Sequence, residues 1–145
     1  IMSLKDGSKK MSKSELSDLS RINLTDNKDQ IINKIKKAKT DPLPMPKSLK
    51  EIDERVEAKN LIGIYASLTN STLEKSIENF AGKNFSEFKE KLSQVLVDKI
   101  EPISAEIKKL LADQEYLDQI LLEGVEKANS IASKKIERIK EIVGF

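Results

Sequence analysis

Three of the four prolines in this 145-residue chain fall in one short stretch, Thr40-Asp41-Pro42-Leu43-Pro44-Met45-Pro46. Alternate prolines fix φ, remove backbone donors and favour extended structure, so no helix can cross here. The stretch reads as a joint at residues 40–48 that divides the sequence into an N-terminal part, 1–39, and a C-terminal part, 49–145. A proline-rich docking motif for another protein is the alternative reading of the same residues.

Beyond the joint the pattern is helical almost to the end. Val56, Leu61, Ile64, Tyr65 and Leu68 mark one face, and Thr69-Asn70 breaks the run. Ser71-Thr72-Leu73-Glu74 reads as a capping box opening a short helix that packs Leu73, Ile77 and Phe80 before Gly82 stops it. A long helix is predicted from about Ser86, with Phe88, Leu92, Val95, Leu96, Ile100, Ile103, Ile107 and Leu110 inward. Pro102 cannot donate to the carbonyl of Asp98 and should bend that helix. From Gln114 to Val143, Gly124, Ala128 and Ala132 recur at steps of four and invite close approach of a neighbouring helix. Ile131, Ile136, Ile139, Ile142 and Val143 are expected to continue the buried side.

Before the joint, Ile1-Met2-Ser3-Leu4 reads as the tail of a buried strand, and Arg21-Ile22-Asn23-Leu24 as a short extended piece. Asp26, with Asp29 three residues on, is the expected N-cap of a helix from about Asn27 to Lys39. Ile31, Ile32, Ile35 and Ala38 form its apolar stripe. Lys28, Lys34, Lys36, Lys37 and Lys39 lie elsewhere on its surface, either as a solvated face or as contacts to an RNA backbone. The expected fold is mainly α, with about five helices and strand confined to the first few residues. With 34% charged, 38% hydrophobic and only 4% aromatic residues, the composition suits a helix-rich protein better than a sandwich or barrel.

The chemistry concentrates in Lys9-Lys10-Met11-Ser12-Lys13-Ser14, introduced by Lys5-Asp6-Gly7-Ser8. Ammonium groups, hydroxyls and backbone N–H groups in a short loop are the means of gripping phosphate oxygens. A solvated lysine/serine turn is the plain alternative. Residues 1–47 carry 11 basic and 6 acidic side chains and residues 48–145 carry 15 and 18, so the basic excess sits with the loop. The chain has no cysteine and no histidine, which excludes disulfides, thiolate nucleophiles and imidazole acid/base chemistry within it, and no metal site is expected. No apolar run approaches the roughly 18 to 20 residues of a membrane span, and no secretory leader opens the sequence, so a cytoplasmic location is expected.

The order of the loop residues is more specific than their composition. Lys10-Met11-Ser12-Lys13-Ser14 spells KMSKS, the signature of class I aminoacyl-tRNA synthetases. Its surroundings, Ile1-Met2-Ser3-Leu4, Arg21-Ile22-Asn23-Leu24-Thr25-Asp26 and Lys34-Ile35-Lys36-Lys37-Ala38-Lys39-Thr40-Asp41, resemble the tryptophanyl-tRNA synthetases. So do Ala58-Lys59-Asn60-Leu61-Ile62-Gly63-Ile64-Tyr65 and Glu123-Gly124-Val125-Glu126-Lys127-Ala128. Val125, where that family usually has alanine, and Glu15, where aspartate is common, depart from the pattern without removing a phosphate contact.

The resemblance implies a C-terminal part of such an enzyme: residues 1–39 the end of an α/β Rossmann-type catalytic domain, and 49–145 a helical domain of the tRNA anticodon-binding type. It implies ATP as substrate, with Mg2+ carried by the nucleotide, together with tryptophan, tRNA and a homodimeric full-length enzyme. Lys13 and Lys10 are then the catalytic residues, while Ile1, Lys10, Met11, Ser12, Lys13 and Ser14 contact ATP, Ile1 through its backbone near the adenine. The second nucleotide motif and the tryptophan pocket are expected upstream of Ile1, and the fragment alone is expected to be inactive. The alternative is a non-catalytic helical RNA-binding module with a vestigial loop.

Overall fold

The computed structural model describes residues 1–144, and within them the chain is built of helices. After a loop and a single 3-10 turn at Asp18–Ser20, the helices are α1 (Lys28–Lys36), α2 (Leu49–Asp53), α3 (Val56–Thr69), α4 (Leu73–Phe80), α5 (Phe85–Ala112) and α6 (Gln114–Val143). Strand is reduced to one antiparallel bridge between Met2 and Lys10. The strand expected over Ile1–Leu4 does not extend further. Lys9–Met11 pairs with one edge of it, and a side chain takes the other at Met2.

The chain forms two compact units, Ile1–Ala105 and Glu106–Phe145, the division falling inside α5 just past Pro102. In the first unit one hydrophobic core draws on both sides of the proline joint. Leu4, Ile31, Ile35, Ala38 and Met45 lie in it beside Ile52, Leu61, Ile62, Ile77, Phe88, Leu92 and Leu96. Phe80 and Phe88 of this core form an aromatic cluster with the half-buried Tyr65, the Phe80 and Phe88 rings 4.9 Å apart and edge-on. Edge-to-face pairs of this kind add to the area that three large side chains bury.

Local chemistry sets the helix ends. Asn27, not Asp26, caps α1: its side chain accepts from the Gln30 N–H, and the Gln30 side chain accepts from the Asn27 N–H. Asp26 is drawn away from capping because it is buried and accepts from Lys34. The helix stops at Lys36, short of the expected Lys39. There the Lys39 N–H donates to the Leu4 carbonyl, and the Lys89 ammonium donates to the carbonyls of Lys36 and Ala38. Burial lowers the pKa of that ammonium. Ser48 caps α2 and Thr72, rather than Ser71, caps α4; the Ser71 hydroxyl is engaged with Ser76 instead. Asn70 ends α3 in the left-handed region at φ 52°, as a break there requires.

The proline joint is tied down by one guanidinium. Arg55, between α2 and α3, donates from Nε and Nη2 to the two carboxylate oxygens of Asp41 at 2.9 and 2.6 Å. It also donates to the Pro44 carbonyl at 2.7 Å and stands over the Phe85 ring. Since prolines leave their neighbours' carbonyls without ladder partners, an arginine fork is well suited to satisfy them. Met45 completes the attachment, exchanging backbone hydrogen bonds with Gly82 and Lys83.

In the second unit, the tail of α5 and α6 bury no residue, so the expected burial of Ile131, Ile136, Ile139, Ile142 and Val143 is corrected: each is exposed. No heavy atom lies within 4 Å of where a Gly124 Cβ would sit, so the close helix approach expected at this small-residue face is not made among the described residues. The α5 helix runs through Pro102 without interruption.

Burial raises the Asp41 carboxyl pKa, but the Arg55 guanidinium and the Leu43 N–H outweigh it and hold the group below its ordinary value. Its stabilising contribution is therefore fully present above the unfolded pKa of about 3.9 and disappears as pH falls through the lower folded value. Urea unfolding of Asp41→Asn should show a loss of about 1.5–3 kcal/mol at pH 7, as for a charge-assisted bond. The gap to the unsubstituted chain should narrow near pH 3; a gap independent of pH would mean that the charge on Asp41 contributes nothing.

Candidate functional site

The lysine/serine loop projects from a short stem. Ser3 N–H donates to the Lys9 carbonyl at 2.8 Å and Met11 N–H to the Ile1 carbonyl at 3.3 Å, pairing Ile1–Ser3 with Lys9–Met11. On the opposite edge, the Asn60 side chain of α3 accepts from the Met2 N–H at 2.9 Å and donates to the Met2 carbonyl at 2.9 Å. Leu4, the last residue of the stem, is 2% exposed in the core, while Ile1 at its start is 77% exposed.

The approach to the loop rests on α3. A Cβ at Gly7 would stand 2.8 Å from the backbone of Val56 and Glu57, so only glycine lets the chain lie this close to the first turn of the helix. Asp6 then folds the turn: its carboxylate accepts from the Ser8 hydroxyl at 2.6 Å and the Ser8 N–H at 3.0 Å, and pairs with Lys9 at 3.2 Å. The Ser8 donors, with Lys9 second, lower the Asp6 pKa to about 2. One of the three loop lysines is thus neutralised within the loop.

The other two are not. Lys10 and Lys13 are exposed, and among the described residues neither ammonium lies within 4 Å of a carboxylate. Ser12 and Ser14 are exposed beside them, joined by a bond from the Ser14 N–H to the Ser12 hydroxyl. Met11 is half-buried and packs against the core. Lys10 and Ser12 face a cleft of about 290 Å³ that Ser3, Lys5, Lys9 and Ser20 also line, together with the acidic Asp6 and Glu15. Lys5, Lys9 and Lys10 thus bring cations to one open concavity with the hydroxyls of Ser3, Ser12 and Ser20, which suits an anion with several oxygens, and Lys13 and Ser14 stand outside it.

The loop's return is fixed by a polar cluster that the sequence does not announce. Arg21 donates to the Glu15 carbonyl at 2.9 Å and to the Asn23 side chain at 3.2 Å. Asn23 donates to Asp18 at 2.9 Å from its side chain and to Asp26 at 2.8 Å from its backbone. Lys34 of α1 reaches both carboxylates, at 2.7 Å to Asp18 and 2.6 Å to Asp26. Lys34 and then Asn23 lower the Asp18 pKa. Lys34 is therefore corrected from a surface lysine to a buried one, 3% exposed. Its spacing was the available signal: it follows Ile31 by three and precedes Ala38 by four, on the buried face. Lys39 is paired as well, 2.8 Å from Glu57, which raises its pKa.

Comparison with known proteins shows the family of the chain. The family described as tRNA synthetases class I (W and Y) matches residues 1–101. The tryptophan–tRNA ligase of Caulobacter vibrioides is 46% identical over all 145 residues, and that of Rickettsia felis 49%. These matches cover 100% of this chain and 42% and 43% of the two relatives, so the chain spans about two fifths of their length. Among solved structures, a tryptophanyl-tRNA synthetase from Mycoplasma pneumoniae superposes with a TM-score of 0.61 at 26% identity, over 75% of this chain and 35% of that one. With its KMSKS sequence at Lys10–Ser14 and a family match over residues 1–101, the chain belongs to the class I tRNA synthetases of the W and Y group.

Proposed function

We propose that this chain is part of a tryptophan–tRNA ligase, and that it supplies the loop holding the pyrophosphate end of ATP together with a helical tRNA-binding region. The single observation behind this reading is the pair of unneutralised ammonium groups, Lys10 and Lys13, on an exposed loop whose remaining lysine is already paired with Asp6. In activation the tryptophan carboxylate attacks the α-phosphorus, the bond from that phosphorus to the bridging oxygen breaks, and pyrophosphate leaves with the electron pair. Negative charge grows on the leaving group, so cations placed on it stabilise the transition state more than the bound substrate.

In this reading Lys13 and Lys10 meet the β- and γ-phosphates, and Ser12, Ser14 and the loop N–H groups orient them. Met11 packs on the core and sets how far the loop stands from it. The backbone of Ile1, whose carbonyl accepts from Met11 in the stem, is the contact proposed near adenine. Mg2+ arrives with the nucleotide. Tryptophan and the other half of the nucleotide site belong to a segment supplied upstream, in line with the two fifths of each relative that this chain spans. The division of labour at residues 40–48, the tRNA contact of the helical part, the homodimer and a cytoplasmic location belong to the same proposal.

In a ligase completed with the upstream segment of a relative, Lys13→Ala should lower kcat for tryptophan-dependent ATP–pyrophosphate exchange about a hundredfold, equivalent to about 3 kcal/mol. The KM for tryptophan should stay within a factor of about two, because the lysine acts on charge that develops only in the transition state. Equal losses in both would give Lys13 a role in folding or uniform binding. The 145-residue chain alone should show no exchange; turnover by it that Lys13→Ala abolishes would contradict the need for the upstream segment. RNA binding by the completed protein without any exchange would favour the non-catalytic reading.

A further inference from the structure

We propose that Asn60 is a positioning residue for the loop: its carboxamide closes the outer edge of the stem and so fixes where Lys10 and Met11 leave it. Successive backbone groups of an extended chain point to opposite sides. The Ile1 carbonyl and Ser3 N–H face the loop, whereas the N–H and carbonyl of Met2 face the other way, and both are taken by Asn60 at 2.9 Å. A third contact, to the Ser3 carbonyl at 3.3 Å, comes from the same amide nitrogen. One side chain thus does what a neighbouring strand would do.

The chemistry admits few substitutes. The site needs an acceptor for an N–H and, within the same planar group, a donor for a carbonyl, which only a carboxamide offers at this length. Its orientation is settled by these partners, since a flipped amide would set nitrogen against N–H and oxygen against carbonyl. Asn60 is itself held, being 9% exposed on α3 beside the buried Ala58, Leu61 and Ile64. The same helix meets the loop's approach at Gly7, so α3 grips the loop at two points on its N-terminal side. A shift of α3 is then transmitted to the loop without passing through the phosphate-facing residues.

The consequence for catalysis rests on the function proposed above; the structural claim does not. Amide hydrogen exchange on the full chain tests the latter. Asn60→Asp keeps shape and acceptor but sets a carboxylate oxygen against the Met2 and Ser3 carbonyls, and Asn60→Leu removes both functions. Protection at the Ser3 and Met11 amides, whose N–H groups donate to Lys9 and Ile1 and not to Asn60, should fall about tenfold in both variants. Leu61, Ile77 and Leu92 should keep theirs. Unchanged exchange at Ser3 and Met11, or an equal loss at the three core amides in both variants, would overturn the proposal. In the completed ligase the variants should lower kcat for pyrophosphate exchange with the KM for tryptophan unmoved, and a rise in KM alone would overturn the positioning role. If that ligase is inactive with Asn60 in place, the proposed function fails and the exchange of Ser3 and Met11 decides the role of Asn60.

Discussion

The contact on which the N-terminal part depends is the buried one between Lys34 and Asp26, 2.6 Å apart with both side chains 4% exposed. Taking two charges out of water costs several kcal/mol per ion, so such a pair persists only if its remaining donors and acceptors are satisfied. Further partners are present: Asp26 also accepts the Asn23 N–H, and Lys34 also reaches Asp18. Because Asp18, Arg21 and Asn23 follow directly on the loop, satisfying the buried ions also fixes the path by which the loop returns. Removing one partner of a buried pair is far more costly than never having had the pair, at about 3–5 kcal/mol. A cluster of this kind specifies one arrangement more than it adds stability.

The loop is therefore anchored at both roots and left alone at its tip. On one side Leu4 is sunk in the core, Asn60 holds Met2, and Gly7 lies against α3. On the other, Arg21 holds the Glu15 carbonyl and Lys34 holds Asp18. Between them Lys10, Ser12, Lys13 and Ser14 are exposed. Fixed roots limit where the cations can travel, and an unencumbered tip leaves them free to move, as a loop that closes on a ligand requires. Arg55 performs the matching service for the proline joint, which keeps α3 in register with the residues before it.

Much of this was legible in the letters. The helix-free proline stretch, the Asn70 break, the long helix from Phe85 and the bounds of α6 follow from local chemistry. What escaped was non-local. Asn60 and Met2 are 58 positions apart, and no local pattern reports which backbone a helical carboxamide will meet. Lys34 hid among several lysines of one short helix, although its spacing from Ile31 and Ala38 marked the buried face. The apolar stripe of α6 pointed to burial, but periodicity states that a face is apolar and not what covers it. Asp26 looked like a cap because caps are a local rule, and the tertiary pairing with Lys34 overrode it.

Backbone 15N relaxation across residues 1–26 of the full chain tests most directly whether a free tip sits on fixed roots. Order parameters near 0.85 are expected for Ser3, Leu4 and Asp18 through Asp26, and values below about 0.6 for Ser12 through Ser14. Low order throughout residues 1–26, or a tip as rigid as its stem, would contradict the picture of a free loop tip anchored by Asn60 and Lys34.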